Sequence, residues 1–320
     1  MPTQEALSEI ILSTFHGRST LPQHDLRPQP AGVLCPDITF FQSQDTPVRL
    51  AALATPILIH LPAPTFFIDI DGVLYGGSAP VAEGPSVIEF LRQQGSGFLL
   101  VTNTTRMSQQ EIQQKLTGLG YRVQDDEIYP VSLAAVDYIN TRYGAARCFM
   151  IGDASLETLF AERGHTVVRT EEPVAAVIMG LTLWPHFGEI DIARRLVNAG
   201  AEPIALHADP TWPDEGVTRI GLGSMVAALE VVISRPITLI GKPQPHFFTA
   251  ALERAGFVRE NTIMIGDSLN SDIAGATAVG LKSLLVRTGN SAAEPLPTSC
   301  DWELPSIAEL PGWYQTQFGS

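Results

Sequence analysis

Short apolar runs that end in polar residues recur along the chain. Four of them have the length of a strand, and they cover residues 65–68, 97–101, 237–240 and 262–265. Runs this short and this apolar are typical of strands that are covered on both faces. Segments with the apolar spacing of helices separate them. This alternation predicts an α/β fold with a doubly wound parallel sheet and right-handed crossovers.

Two helix boundaries are marked by their own residues. Ser108 and Glu111 have the spacing of a capping box and predict that a helix begins there. The apolar face at residues 247–252 predicts another helix, and Gly256 is expected to end it.

A second β/α unit lies between the second and third of these strands. Its predicted strands cover residues 148–151, 175–179 and 203–206, and its predicted helices cover 156–163 and 190–199. A length of 320 residues also suggests about two domains. We therefore predict a core formed by residues 63–144 and 222–320, an inserted α/β domain at 145–221, and an N-terminal extension, residues 1–62, to which the sequence assigns no role.

Polar residues that can carry chemistry follow each of the four core strands. In a parallel sheet the carboxyl ends of the strands share one edge, and ligands bind in the crevice outside it. The chain therefore predicts one common site. Its members are Asp69 and Asp71, Thr102 and Asn103, Lys242, and Asp267 with Asp272.

This set of residues suits attack on phosphorus. An aspartate nucleophile, an acid/base two residues later, a magnesium ion and a lysine are what an aspartyl-phosphate mechanism requires.

The four motifs, in this order, resemble those of the haloacid dehalogenase-like (HAD) superfamily of phosphohydrolases. The chain is also similar to the class IIA branch, which includes nucleotide, phosphoglycolate and pyridoxal phosphate phosphatases. The stretches that carry this finer resemblance are Asp71-Gly-Val-Leu-Tyr-Gly-Gly, Val101-Thr-Asn-Thr, Gly241-Lys-Pro-Gln-Pro and Leu285-Val-Arg-Thr-Gly. The resemblance implies a Rossmann-like core and an inserted cap that closes over the active site and selects the substrate.

The cap departs from the family at one place. His207-Ala-Asp209 stands where relatives commonly have Asn-Pro-Asp, so only Asp209 fits the pattern. His207 and Asp209 are candidate substrate contacts, although an aspartate in a loop flanked by prolines is also typical of a turn.

Charge and position suggest a role for each core residue. Asp69 is the predicted nucleophile, and Asp71 the acid that protonates the leaving alkoxide and then takes a proton from water. Lys242 offsets negative charge, while Thr102 and the Asn103 backbone bind phosphoryl oxygens.

Magnesium is the predicted cofactor. Its expected ligands are the Asp69 carboxylate, the Asp71 backbone carbonyl and Asp267, with Asp272 acting behind them or through a bound water. The alternative for Asp272 is a first-turn carboxylate of a helix whose N-cap is Asn270.

Composition narrows the partners. A formal net charge of −14 repels nucleic acid and acidic membranes, so neither is expected to bind. No apolar run reaches the roughly 18 residues that a membrane span needs. The three cysteines, Cys35, Cys148 and Cys300, lack C-x-x-C spacing, which argues against a zinc site or a disulfide framework and favours the cytoplasm.

The sequence thus predicts a Mg²⁺-dependent phosphatase of a small phosphorylated metabolite, such as a sugar phosphate, nucleotide, phosphoglycolate or pyridoxal phosphate. The alternatives are a phosphomutase or phosphotransferase, a phosphatase of pyrophosphate or phosphoramidate bonds, and a non-catalytic binding protein. A homodimer formed through the cap is also left open.

Overall fold

The first sheet of the molecule is parallel and six-stranded. The structure is a computed structural model, and it describes residues 63–214 and 217–319. The spatial order of the strands is β15 (Trp302–Leu304), β14 (Lys282–Val286), β13 (Thr262–Gly266), β1 (Thr65–Asp69), β4 (Phe98–Thr102) and β5 (Ile128–Pro130). Strand order reverses direction beside β1, which makes its carboxyl end the switch point where ligands bind in such sheets. The predicted doubly wound fold is confirmed.

Helices cover both faces of this sheet. On one face Phe66 and Ile68 of β1 pack with the apolar residues of α1 (Gly84–Gln93), α2 (Gln109–Gly118) and α9 (Leu310–Phe318). On the other face Phe67 packs with α3 (Val131–Tyr143), α7 (Pro245–Ala255) and α8 (Ala274–Ala278). Successive side chains of a strand point to opposite faces, so β1 must be apolar at every position that is covered. Each buried phenylalanine contributes about 1.5–3 kcal/mol.

The predicted helix boundaries are found in the structure. The Ser108 hydroxyl accepts a hydrogen bond from the Glu111 backbone N–H at 3.2 Å, and the Glu111 carboxylate accepts one from the Ser108 N–H at 2.7 Å. This capping box begins α2. Gly256 caps α7 with a φ of 65°, a left-handed conformation that glycine adopts without steric strain.

A second parallel sheet follows α3. Its order is β12 (Thr238–Leu239), β9 (Glu202–Ala205), β8 (Ala176–Met179), β6 (Arg147–Ile151) and β7 (Thr166–Val168). The helices of this part of the chain are α4 (Ala154–Glu162), α5 (Phe187–Asn198) and α6 (Leu222–Glu230). The strands and helices predicted for the inserted unit are therefore present. The domain boundaries at 145 and 222 stay predictions.

The strand before Lys242 lies in the second sheet, and its predicted place in the first sheet is wrong. Thr238 and Leu239 of β12 pair with Ile204 and Ala205 of β9. The apolar pattern predicts that a strand exists but does not specify its neighbour, because side-chain alternation fixes only the faces of a strand. Lys242 consequently reaches the carboxyl edge of the first sheet from the second sheet.

The described residues also form two antiparallel strand pairs. These are β2 (Tyr75–Gly76) with β3 (Ala79–Pro80), and β10 (Thr211–Asp214) with β11 (Val217–Ile220). Within residues 63–214 and 217–319, no helix combines the length and the apolar character needed to cross a membrane. The predicted N-terminal extension, residues 1–62, lies outside the described residues.

Candidate active site

Lys242 is buried between two carboxylates at the end of β1. Its Nζ lies 2.6 Å from Asp69 Oδ1 and 2.8 Å from Asp272 Oδ1. It also donates a hydrogen bond to the Val101 carbonyl at 3.3 Å. All three charged side chains are buried, and Asp272 is fully so. A buried lysine with this many partners stays charged, so it can offset negative charge at the site.

A third carboxylate, Asp267, joins this cluster at the end of β13. Oxygens of Asp69, Asp267 and Asp272 all lie within 4.8 Å of one another. Asp267 Oδ2 accepts the Asn290 backbone N–H at 2.5 Å, whereas Oδ1 is buried without a hydrogen-bond partner. Burial of an unpartnered carboxylate oxygen is costly, so this oxygen is positioned for a ligand.

The charges of the cluster shift its protonation equilibria. Burial raises the pKa of Asp69 well above its ordinary value, and Asp272 and Asp267 add to this while Lys242 opposes it. Burial and Asp272 raise the pKa of Asp267 to about 6. Burial disfavours the charged form of Lys242, but the adjacent Asp272 and Asp69 hold its pKa above the ordinary value. The cluster therefore has more negative charge than its lysine neutralises.

Glycines allow the backbone to approach these carboxylates. Gly72 has a φ of 82°, and a Cβ there would collide with the Asp267 carboxylate. A Cβ at Gly266 would collide with Asp272. The turn directly after β1 therefore requires glycine for both its conformation and its packing.

Asp272 is held from the start of its own helix. Its Oδ2 accepts the Ser268 N–H at 3.1 Å, and Ser268 Oγ accepts the Ser271 N–H at 3.3 Å. The N-cap is therefore Ser268, and the alternative with Asn270 as N-cap is wrong. Asp272 also forms a buried ion pair with Lys242, which a carboxylate that only stabilises the helix dipole would not form.

Thr102 and Asn103 lie at the end of β4, as predicted. The Thr102 hydroxyl accepts the Thr104 N–H at 3.0 Å. The Asn103 side chain is directed at the backbone of Lys242: its Oδ1 accepts the Lys242 N–H at 2.9 Å, and its Nδ2 donates to the Lys242 carbonyl at 3.0 Å. Phosphate binding by Thr102 and by the Asn103 backbone stays a prediction.

Asp71 differs from the other acidic residues because its side chain is exposed. It lies outside the cluster of three carboxylates, and the turn that follows it is closed by a 2.8 Å hydrogen bond from the Gly72 N–H to the Tyr75 carbonyl. An exposed carboxyl can exchange protons with solvent, as an acid/base needs. Its catalytic role and its carbonyl's role as a ligand stay predictions.

His207 and Asp209 form a pair behind Asn103. His207 is buried, and its Nδ1 lies 2.9 Å from Asp209 Oδ2. The same Asp209 oxygen is 3.4 Å from Asn103 Nδ2. Burial raises the pKa of Asp209, but His207, Asn103 and the charge of Lys242 outweigh this and hold it below its ordinary value. The structure thus places Asp209 in contact with Asn103, and His207 in contact with Asp209.

The loop after β14 was quoted from the sequence only as part of the stretch Leu285-Val-Arg-Thr-Gly, and its contacts with the site were not predicted. Gly289 and Asn290 contact the Asp267 carboxylate, and Leu269 N–H donates to Ser291 Oγ at 3.1 Å. The signal in the sequence was a Thr-Gly-Asn turn that begins two residues after an apolar strand, at the same edge of the sheet as the other motifs.

The residues present fit a divalent cation. Three clustered carboxylates supply the oxygen ligands that Mg²⁺ and Ca²⁺ prefer, and the unpartnered Asp267 Oδ1 is a buried acceptor available for an ion. The excess negative charge of the cluster also favours binding of a cation.

The chain is similar to known proteins and protein families. Residues 66–166 match the family described as haloacid dehalogenase-like hydrolase, and residues 239–310 match a second family described as HAD-hydrolase-like. An acid sugar phosphatase of Staphylococcus aureus is 29% identical over 229 residues, which is 72% of this chain and 88% of the relative.

The chain is also similar to solved structures. A glycerol phosphate phosphatase of Mycobacterium tuberculosis, in complex with calcium, is 30% identical, with a TM-score of 0.70 over 77% of this chain and 74% of that one. A 4-nitrophenylphosphatase of Thermotoga maritima is 27% identical, with a TM-score of 0.72 over 78% of this chain and 97% of that one.

The chain belongs to the haloacid dehalogenase-like hydrolase family. The enzyme class predicted for it, a phosphoric monoester hydrolase, is confirmed by the same comparisons.

Proposed function

We propose that this protein is a Mg²⁺-dependent phosphatase of small phosphorylated metabolites that acts through a phosphorylated Asp69. The observation that carries the proposal is the buried cluster at the switch point, in which Asp69 is paired with Lys242 beside Asp267 and Asp272. A carboxylate that can act as the nucleophile, a fixed cation and carboxylates that can bind a metal ion lie together there, and phosphoryl transfer requires these groups.

In the first step an Asp69 oxygen attacks phosphorus, and the bond from phosphorus to the alcohol oxygen breaks. Asp71 gives its proton to that oxygen as the alcohol leaves. In the second step water attacks the phosphorylated Asp69, Asp71 takes the proton of the water, and the bond between phosphorus and Asp69 breaks. Lys242 stays fixed at 2.6 Å from Asp69 Oδ1 and offsets the charge of nucleophile and phosphate.

Magnesium would be held by Asp69, Asp267 and the Asp71 carbonyl, with Asp272 behind them. When bound it supplies charge neutralisation, which favours the ionised form of the nucleophile and stabilises the phosphoryl oxygens. The complexes of the M. tuberculosis phosphatase with magnesium and with calcium support a divalent ion in this chain as well.

The proposed substrates are phosphate monoesters of sugars or of small polyols. Two relatives are named for such compounds, an acid sugar phosphatase and a glycerol phosphate phosphatase. A small, uncharged alcohol also suits a chain whose net charge is −14, because no further anion has to enter. Cytoplasmic location and a homodimer through the cap remain proposals.

The test is phosphate release from glycerol phosphate, glucose 6-phosphate and 4-nitrophenyl phosphate, with Mg²⁺ and with EDTA. Wild type is compared with Asp69→Asn, and with Asp126→Asn as a matched variant at an exposed aspartate. We expect release that needs Mg²⁺, is unchanged in Asp126→Asn and is absent in Asp69→Asn. Folded, Mg²⁺-supplied wild type that releases phosphate from none of them would contradict the proposal.

Capture of the intermediate tests the mechanism separately. Rapid acid quenching during turnover, followed by borohydride reduction and peptide mass spectrometry, should locate the phosphorylated side chain at Asp69. If the enzyme turns over but the reduced residue is not Asp69, the phosphatase activity would stand and the assignment of Asp69 as the nucleophile would be refuted.

A further inference from the structure

The Asn103 carboxamide binds both ends of the Lys242 backbone. It accepts the Lys242 N–H and donates to the Lys242 carbonyl, at 2.9 and 3.0 Å, across 139 positions of sequence. A Cβ at Gly241 would collide with Asn103 Oδ1, so the chain needs glycine there for the amide to come this close. These contacts fix the backbone from which the Lys242 side chain extends to Asp69.

Asp209 fixes the orientation of that amide. Its Oδ2 lies 3.4 Å from Asn103 Nδ2, and the lowered pKa of Asp209 keeps it a carboxylate that only accepts hydrogen bonds. The Lys242 N–H requires an acceptor from the same amide, and the Lys242 carbonyl and Asp209 both require a donor. All three contacts are satisfied by one orientation of Asn103.

His207 in turn positions Asp209. Its Nδ1 is 2.9 Å from Asp209 Oδ2 and 3.2 Å from the Asp209 backbone nitrogen. The Asp209 backbone N–H donates to Nδ1, so the buried ring contacts both the backbone and the carboxylate of Asp209. The ring is 6% exposed, so it has little surface with which to contact a ligand.

Strand pairing brings these residues together. His207 and Asp209 follow β9, Lys242 follows β12, and the two strands are neighbours in the second sheet. The pairing continues past β12, because the Gly241 N–H donates to the Leu206 carbonyl at 2.7 Å. Lys242 is therefore placed beside the loop that contains His207.

We infer that His207, Asp209 and Asn103 form a positioning chain that sets the location of Lys242. This assigns His207 and Asp209 a role other than reading the substrate, and it gives the Asn103 side chain a role other than binding phosphate. The inference deepens the proposed function and rests on it for its kinetic consequences, but the placement of Lys242 can be measured without turnover.

Lysine labelling measures that placement directly. The chain has three lysines, Lys115, Lys242 and Lys282, and Lys242 is 4% exposed. Amine acylation followed by mass spectrometry reports each of them, with Lys115 and Lys282 as internal standards. We expect Asn103→Ala and Asp209→Ala to raise the labelling rate of Lys242 about tenfold or more relative to wild type, and to leave the standards unchanged.

A matched control comes from another polar link to the loop after β4. Arg106 in that loop pairs with Asp153 at 3.0 Å, and this pair does not contact Lys242. Asp153→Ala should therefore leave Lys242 labelling at the wild-type rate. Equal labelling of Lys242 in wild type, Asn103→Ala and Asp209→Ala would overturn the inference. So would a rise in Asp153→Ala as large as theirs, since it would indicate general loosening.

Kinetics give the second test. A defect in Lys242 placement acts on the phosphoryl group that all esters share, so His207→Ala and Asp209→Ala should lower kcat by a similar factor, about tenfold, on every active ester. Asp209→Asn, whose side-chain oxygen can still accept from Asn103, should recover most of the loss. Losses that change strongly with the alcohol, or that appear in KM alone, would identify substrate contacts and refute the positioning role.

A double-mutant cycle tests the order of the chain. If Asp209 acts through Asn103, then Asn103→Ala with Asp209→Ala should lose no more activity than Asn103→Ala alone. Independent, multiplying losses would overturn it. Failure of the proposed function gives a different result: wild type would turn over no ester, while the labelling difference at Lys242 would persist.

Discussion

Replacing Asp267 by asparagine should stabilise the metal-free protein and abolish its response to Mg²⁺. Asp69, Asp267 and Asp272 are buried together, and Lys242 is their common cation within the described part of the chain. Removal of one like charge relieves repulsion in the folded state. It also removes a carboxylate oxygen that is expected to bind the metal.

The size of the gain follows from the Asp267 carboxyl. Its pKa of about 6 lies above the ordinary value of 3.8, and at pH 8 this difference corresponds to about 3 kcal/mol of destabilisation by the ionised form. Asparagine keeps an oxygen that can accept the Asn290 N–H. We therefore expect Asp267→Asn to add about 1–3 kcal/mol in EDTA at pH 8, which is several degrees in melting temperature.

The effect has a defined pH dependence. Because the folded pKa is raised, the folded protein binds a proton at Asp267 that the unfolded chain does not hold at the same pH. The wild type therefore regains stability as the pH falls through about 6. The stability difference between variant and wild type should be large at pH 8 and small at pH 5.

Thermal unfolding in EDTA and in Mg²⁺ at both pH values measures these effects, with Asp126→Asn as the control at an exposed site. Mg²⁺ at a hundred times its Kd should stabilise wild type by about 2.7 kcal/mol and the variant by much less. A variant less stable than wild type in EDTA at pH 8, or equally stabilised by Mg²⁺, would refute this account of the cluster.

Three further predictions concern buried charges and the turn after β1. Lys242→Met leaves Asp69 and Asp272 unpaired and should lower the free energy of unfolding by about 3–5 kcal/mol in denaturant titrations; an unchanged midpoint would contradict the ion pairs. Gly72→Ala and Gly77→Ala should both cost about 1–2 kcal/mol of stability, because both positions have a positive φ. Only the methyl group at position 72 would collide with Asp267. In thermal melts, only Gly72→Ala should therefore lose the stabilisation by Mg²⁺. The Glu202 carboxylate accepts hydrogen bonds from Tyr138, Tyr143, Arg142 and Thr238. Burial raises the pKa of Glu202, but these hydrogen bonds outweigh burial and hold the pKa below its ordinary value. Glu202→Gln should therefore lose stability at pH 7, and the deficit should shrink as the pH falls through the Glu202 pKa; a constant deficit would argue against this network.

The fold and the position of the site were accessible from the sequence because both depend on where apolar runs end. Thr65–Asp69 and Thr262–Gly266 are strands whose last residues reach the predicted edge, and Asp69 lies at the switch point beside β1. The topology of one parallel sheet then brings together residues that are far apart in the sequence, such as Asp69 and Asp267, without any knowledge of side-chain contacts. Lys242 is different, because its strand lies in the second sheet.

The contacts within the site could not be predicted in the same way. Asn103 was expected to offer its backbone to phosphate, but whether its side chain turns to Lys242 depends on the distance between two loops, which no spacing in the sequence gives. The sequence also could not show that the helix N-cap is Ser268 and not Asn270. Both residue types favour the position, and in the structure Ser268 Oγ accepts the Ser271 N–H while Asp272 Oδ2 accepts the Ser268 N–H.

The position of β12 changes the role that the inserted unit can have. A lid that only closes over a complete site could be altered without changing the chemistry. Here the lysine strand pairs with β9 of the second sheet, and the loop after β9 contacts the amide that holds Lys242. Substitutions in the second sheet that shift β9 against β12 should therefore change the position of Lys242 and, with it, the rate of the phosphoryl-transfer step.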